Sequence, residues 1–406
     1  MALSIAVVIL LSLGADYVLR RWGLPGLLGM LLVGLACGPH GLDLISPSLM
    51  AISTDFRRIA LIVILLRAGL MISKESLRRM GRPALLMGLL PALFEAATVA
   101  AVAGPVLGLR PAAAMALGAL LAAVGPAVVV PKMLALREEG RGTNKYIPEL
   151  LLASSPLDNI FVLLLFGALL EGARAGYSQV CLKLAELPVS LVLGGLAGVV
   201  LGKRLYRGFL RFDPRATKRM LILLCLGILL LALEDALKGR VPFSGLMAIM
   251  AVAFVILEKS EPFAHELSLK LAKLWIFAEI LLFVLMGAQV DLGAVWHAAG
   301  AGLVVVVVGL VARSMGVWLA LLKTDLNVRE RFFCVVAYMP KASVQAALAA
   351  TPLALGVAGG ETILAVAVLA VLVTAPLGAM ATDWAGKRWL QAVPPPKQDS
   401  AGEATI

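Results

Sequence analysis

Charge is what this chain has least of. Only 15% of its 406 residues are Asp, Glu, Lys or Arg, 61% are hydrophobic and the mean hydropathy is +0.97, which is more apolar surface than a soluble core can hide. Cysteine is also scarce. Cys37, Cys181, Cys225 and Cys334 lie in or beside apolar segments without CxxC or CxxH spacing, so neither a disulfide framework nor a metal knuckle is indicated. His40, His265 and His297 stand far apart near segment ends; they form no triad or metal spacing, and no enzyme chemistry, cofactor or resident metal is expected. The net charge of +11 has no basic and aromatic soluble module around it, so it does not point to nucleic acid. The first apolar segment, Ala2 to Val18, lacks a basic leader and a small-residue cleavage site and contains Asp16; it reads as a retained span.

What is present is a series of long apolar runs. Taking runs of about 17–25 residues as membrane-crossing helices gives about thirteen, near 2–18, 24–38, 57–73, 84–106, 112–134, 148–170, 184–202, 218–236, 242–257, 270–290, 298–322, 332–353 and 361–381. Basic residues fill every second connection. They are Arg20 and Arg21; Lys74, Arg78, Arg79 and Arg82; Lys132, Arg137, Arg141 and Lys145; a dense run from Lys203 to Arg219; Lys259, Lys270 and Lys273; Lys323, Arg329 and Arg331; and Lys387, Arg388 and Lys397. The positive-inside rule makes those connections cytoplasmic, with the N-terminus outside and the C-terminus inside. The positive charge also suits anionic lipid headgroups. Short loops and no targeting peptide favour a cell (inner or plasma) membrane. The expected fold is all-α and polytopic, one transmembrane domain over residues 1–390 followed by a Pro-rich, disordered cytoplasmic tail over 391–406.

Inside the spans, charged residues are few and balanced: Arg67, Glu95, Asp158 beside Asn159, Glu279, Arg313 and Lys341. Ionisable groups in a bilayer are costly and usually mark an ion or proton pathway. Equal numbers of acids and bases also fit structural ion pairs. Asp158 is the strongest functional candidate, because Ser154, Ser155 and Asn159 give it the small polar surroundings that a hydrated cavity needs.

Two spans are interrupted. Gly125-Pro126-Ala127-Val128-Val129-Val130-Pro131 places two prolines in the fifth span, and Tyr338-Met339-Pro340-Lys341-Ala342 places one in the twelfth. Proline removes a backbone donor and strains a continuing helix. It can be a packing kink, but broken segments in matching halves point to a transporter site near the bilayer midplane. Lys341 is expected to neutralise the carbonyl ends of such half-helices. Arg67 and Glu279, Glu95 and Arg313, and the two broken segments are each seven spans apart. An odd offset reverses orientation, so the order implies an inverted-topology repeat of spans 2–6 and 9–13.

Several strings carry a resemblance: Gly23-Leu24-Pro25 through Gly38-Pro39, Leu66-Arg67-Ala68-Gly69-Leu70, Pro126 to Pro131, Leu157-Asp158-Asn159, Met286-Gly287-Ala288 and Pro340-Lys341-Ala342-Ser343-Val344-Gln345-Ala346-Ala347. In this order the chain resembles the monovalent cation:proton antiporter superfamily, nearest its NHA branch of sodium/proton antiporters. The resemblance implies exchange of a monovalent cation, sodium or lithium, for protons. It implies a homodimer whose gate or dimerisation helices (about 2–73 and 218–290) hold still while a core (about 84–170 and 298–381) with two crossed discontinuous helices moves in alternating access. It places Asp158 and Asn159 on the ion-binding pair and Glu95, Arg313 and Lys341 on the charge-compensating residues of the core; Arg67 also matches a family arginine. Arg67 and Glu279 would form a gate-side pair.

Two departures bear on function. Members of the superfamily commonly carry Asp-Asp or Asn-Asp, with the second Asp as principal ligand, where this chain has Asp158-Asn159. An amide coordinates a cation through its carbonyl but exchanges no proton near neutral pH, so Asp158, assisted by Glu279 or Glu95, would have to titrate. Gly125 stands where relatives often offer an oxygen. A transport-deficient or sensing protein of the same fold, or a carrier of another ion, is therefore the alternative.

Overall fold

The structure, a computed structural model, describes residues 1–22, 24–71, 74–175, 177–237 and 239–392. Among these residues it is helical throughout, with a single isolated β-bridge, Arg141 to Ala392, and no strand. In lipid every backbone N–H and C=O must find a partner, and a helix satisfies them within one segment. The first part runs α1 (Ala2–Arg21), α2 (Gly26–Cys37), the single turn α3 (Pro47–Ala51), α4 (Ser53–Gly69), α5 (Lys74–Met87), α6 (Leu90–Leu107), α7 (Pro111–Leu121), α8 (Pro126–Glu138) and α9 (Ile147–Ala175). The joining helices are α10 (Tyr177–Phe212) and α11 (Ala216–Leu237). The second part is α12 (Gly245–Lys259), α13 (Glu261–Ala288), α14 (Leu292–Ala320), α15 (Val328–Ala337), α16 (Ser343–Leu348), α17 (Thr351–Ala354) and α18 (Gly360–Trp389).

Nine helical segments among the described residues are long and apolar enough to cross a membrane, with α2 a shorter apolar helix. This is a multi-pass, all-α membrane fold. The interrupted helices fall in matching places of the two parts, α7 with α8 and α15 with α16, as an inverted repeat requires.

Local chemistry sets the helix ends. Asn327 and Glu330 form a reciprocal capping box at the start of α15, with Asn327 N donating to Glu330 Oε2 at 2.7 Å and Glu330 N donating to Asn327 Oδ1 at 2.9 Å; such a box satisfies two orphan donors at once. Lys145 Nζ reaches the same Glu330 oxygen at 2.7 Å, tying the α8–α9 turn to the start of α15. Gly108, at φ 68°, ends α6 in the left-handed conformation that glycine adopts without strain. At the other end of the chain, Gln391 O accepts from Gly142 N at 2.9 Å and Ala392 pairs with Arg141. Residues 391 and 392, placed by the sequence at the start of a disordered tail, are held by these backbone hydrogen bonds; 393–406 lies outside the described residues.

Two close helix crossings organise the packing. On one side α2 meets α13 at Gly34 and Gly287: a methyl group on Gly34 would fall 2.9 Å from the Val284 carbonyl carbon, and one on Gly287 would fall 2.9 Å from Leu35 N. On the other, α6 meets α14, where a methyl on Gly316 would fall 2.6 Å from Pro91 Cα and one on Gly309 2.7 Å from Val99 Cγ2. Lipid gives no hydrophobic drive between helices, so close backbone approach at small residues supplies the van der Waals attraction. Gly316→Ala is expected to lower the thermal midpoint in detergent, since overpacking against backbone costs roughly 1–3 kcal/mol. Gly300→Ala on the same helix, with open space around it, should not lower the midpoint, and thermal unfolding of the two purified variants compares them directly.

Candidate functional site

The two interrupted helices cross where both chains are extended. Gly125 N donates to Pro340 O at 2.7 Å, a backbone-to-backbone bond that fastens one break to the other. A methyl group on Gly125 would fall 2.8 Å from Ala342 N, so only glycine allows this approach without displacement. The break lies at 122–125, before Pro126, which occupies the first turn of α8, a position where its missing N–H costs nothing. Pro131 sits inside α8 and does not interrupt it, contrary to the expectation that both prolines mark the break; membrane helices tolerate an interior proline.

An interrupted helix leaves carbonyls without partners at the C-terminal end of its first half. Here two such ends face each other, and Arg313 of α14 stands between them. Its Nε donates to Tyr338 O at 2.7 Å, and its Nη1 donates to Ala122 O. The guanidinium also lies 4.8 Å from the centre of the Tyr338 ring. Sequence reasoning assigned the neutralisation of the carbonyl ends to Lys341. The structure gives it to Arg313, because a planar fork with five donors reaches several acceptors at once, whereas an ammonium acts as a point charge.

The same guanidinium pairs with two acids. Arg313 Nη2 donates to Asp158 Oδ1 at 3.0 Å and Nη1 donates to Glu95 Oε2 at 3.0 Å. Lys341 Nζ donates to that Glu95 oxygen at 2.6 Å. Asp158 Oδ2 accepts from the backbone N–H of Val124 at 2.8 Å, so both oxygens of this carboxylate are engaged. Glu95, Asp158, Arg313 and Lys341 are all buried, Asp158 with no exposed surface. Two acids and two bases cancel, the condition under which buried charges persist in low dielectric. The expected Glu95–Arg313 pair is formed, and the cluster extends from it to Asp158 on one side and Lys341 on the other.

Asn159 is placed differently from its neighbour. It is 4% exposed and its Oδ1 has no hydrogen-bond partner. It lines a cavity of about 310 Å3 together with Arg67 of α4, Pro126 and Pro131 of α8, and Trp275 and Glu279 of α13. Glu279 also lines an adjoining cavity of about 470 Å3. There Lys132 donates to Asp383 Oδ2. Arg67 lies 5.9 Å from the centre of the Trp275 ring, and its Nε has no partner. Of the positions singled out in the sequence, Glu95, Asp158, Arg313 and Lys341 converge at the crossing, while Asn159, Arg67 and Glu279 converge on the cavity beside it.

Three contributors were not singled out as site residues. Gln345 accepts from Ala342 N at 3.0 Å and donates to the carbonyls of Leu120 (3.1 Å) and Ala123 (3.0 Å), closing the end of α7 from the second broken helix. Thr374 Oγ1 accepts from Lys341 N at 2.9 Å. Tyr338 offers its carbonyl and its ring. Gln345 lay within a quoted motif, and its buried amide was the available signal; a single threonine in an apolar span gives none.

A family model described as "Sodium/hydrogen exchanger, transmembrane" matches residues 5–387. The chain belongs to the sodium/hydrogen exchanger family. Among curated relatives, human sodium/hydrogen exchanger 9B2 is 32% identical over 402 residues, covering 94% of this exchanger and 73% of the relative. Human sodium/hydrogen exchanger 9B1 is 30% identical over 398 residues, covering 90% and 73%. The sodium proton antiporter MjNhaP1 from Methanocaldococcus jannaschii, solved at pH 8, superposes with a TM-score of 0.80 at 20% identity, covering 94% of the exchanger and 96% of that chain. The antiporter fold is thus shared well beyond the level of sequence likeness, and family membership supports cation:proton exchange as the exchanger's activity.

Glu95→Gln should destabilise the exchanger strongly, by roughly 3–5 kcal/mol, because it leaves Lys341 and Arg313 with one buried carboxylate between them. Adding Lys341→Met should recover a large part of that loss by restoring the charge balance. Thermal unfolding of both variants in detergent, compared with Lys341→Met alone, measures the coupling.

Proposed function

We propose that this protein exchanges sodium or lithium for protons at the Asp158–Asn159 site by alternating access. A core of about 84–170 and 298–381 moves against gate helices at about 2–73 and 218–290, in a homodimer with thirteen crossings per chain, the N-terminus outside and the C-terminus in the cytoplasm of a cell membrane. The observation that carries this reading is the neutral buried cluster Glu95–Lys341–Arg313–Asp158 at the crossing of the two broken helices, with Asn159, whose Oδ1 has no hydrogen-bond partner, lining a cavity beside it.

The coupling follows from charge. A proton on Asp158 and a cation drawn to it each add one positive charge to the same neutral cluster, and a single carboxylate serves one of them at a time. Competition for Asp158 then links the two fluxes. Arg313 and the Val124 N–H hold the carboxylate in place, so loading and unloading it changes the charge of the cluster by one. Since the empty cluster is already balanced, what the empty site lacks is a partner for Asn159 Oδ1. A buried unsatisfied acceptor costs about 1–3 kcal/mol, and a bound cation removes that cost.

One observation favours the transport-deficient or sensing reading: Asp158 has no exposed surface and both of its oxygens are occupied. The two readings separate in proteoliposomes carrying an internal pH-sensitive dye. The parent should show proton movement on addition of sodium or lithium, and Asp158→Asn should abolish it. A silent parent that gains exchange through Asn159→Asp would instead establish the transport-deficient reading.

A further inference from the structure

Position 159 lacks the carboxylate that would make a cation site with Asp158, and the cavity wall holds a carboxylate on another helix. Asn159 lines that cavity, and its Oδ1 is buried without a hydrogen-bond partner. Asp158 does not line the cavity, and its two oxygens are committed to Arg313 and Val124. Glu95 is committed to Arg313 and Lys341 through one oxygen. Among the described residues that line the cavity, Glu279 of α13 is the sole carboxylate. In the adjoining cavity, which Glu279 also lines, the other carboxylate is Asp383, and Lys132 holds it.

We propose that Glu279, reaching the cavity from α13, and the Asn159 carbonyl together form the binding site for a partly dehydrated alkali cation, so that the gate helix supplies the charge missing from position 159. The assignment rests on the exchange reading above and deepens it, Glu279 and Asn159 holding the cation in the cavity from which it reaches Asp158. Carboxylate and amide oxygens are hard ligands suited to hard cations. The cavity, about 310 Å3, accommodates a cation that keeps part of its water shell, since one water occupies about 30 Å3 in the liquid.

The basic residues on the same wall fit this assignment. Arg20 is held by Asp16, its Nε donating to both carboxylate oxygens at 2.8 Å. Arg67 is the remaining described cation there, its Nε without a partner. The Trp275 side chain donates to Glu279, and a cation arriving there competes with both Arg20 and Arg67 for the same negative charge, so the two arginines together set how strongly the site holds it. Because Glu279 belongs to the proposed gate and Asn159 to the proposed core, the pair exists as a site on one side of the transport cycle. Movement of the core would separate the two oxygens and release the ion from its gate ligand.

The test uses opposite signs. In proteoliposomes of the full chain, Glu279→Gln should raise the half-saturating sodium or lithium concentration about tenfold or more, the equivalent of losing one charge-assisted contact. Arg67→Gln should lower it. If Glu279 were merely the structural partner of Arg67, the two substitutions would shift it in the same direction, and that result overturns the assignment, as does an unchanged value in Glu279→Gln. Sodium-dependent thermal stabilisation in detergent gives a readout that needs no transport: it should be lost in Glu279→Gln and kept in Arg67→Gln. Should Glu279→Gln fail to fold, Glu279→Asp, which keeps the charge on a shorter arm, should retain sodium stabilisation at a weaker affinity; parent-like affinity there overturns the assignment. Asp158→Asn separates the two layers. Loss of exchange in Asp158→Asn with parent behaviour in Glu279→Gln removes Glu279 and leaves the exchange site, while full exchange in Asp158→Asn removes Asp158 from the proposed mechanism.

Discussion

One guanidinium holds the centre of this molecule together. Arg313 accepts the burden of two interrupted helices, bonding the carbonyls of Ala122 and Tyr338, and joins two carboxylates from two further helices, Glu95 and Asp158. Interrupting a helix in lipid is tolerable only where the freed backbone groups find partners in protein or water. Arg313 supplies donors where α7 and α15 end, Gln345 supplies them to Leu120 and Ala123, and the crossing chains satisfy each other through Gly125 and Pro340. Without these bonds the extended segments could not lie in the interior, and Asp158 would have no buried cluster to join.

The frame and the chemistry meet at adjacent residues with different surroundings. Asp158 and Asn159 follow one another on α9, yet a helix turns its neighbours by about 100°, so one side chain enters the charged cluster and the other faces the cavity. Both are buried, but only the amide belongs to a residue that lines the cavity. Asn159 and Glu279 line the cavity, and Asp158 lies in the charged cluster beside it.

Much of this was legible in the sequence. Composition and basic-residue alternation specify a polytopic helical protein, the prolines and Gly125 mark where two helices break, and the equal numbers of buried acids and bases anticipate a neutral cluster. The pairing was less legible. Lys341 looked like the neutraliser of the helix ends, but the acceptors there are the backbone oxygens of Ala122 and Tyr338, and a backbone carbonyl leaves no mark in the residue code. Pro131 looked like a second break, since its ring carries no sign of whether the surrounding helix continues. Gln345 and Thr374 act through main-chain atoms as well, for which their spacing gives no pattern. The sequence suggests Arg67 and Glu279 as a pair, and the cavity they share with Asn159 gives them a common context.

The bond between Gly125 and Pro340 has a consequence for how such a protein can diversify. It joins main chain to main chain, so it survives changes to every side chain around it provided that position 125 stays free of a Cβ. The crossing can thus persist while the acids and amides beside it are exchanged. A chain built on this scaffold can tolerate exchanges of those side chains without first losing its architecture.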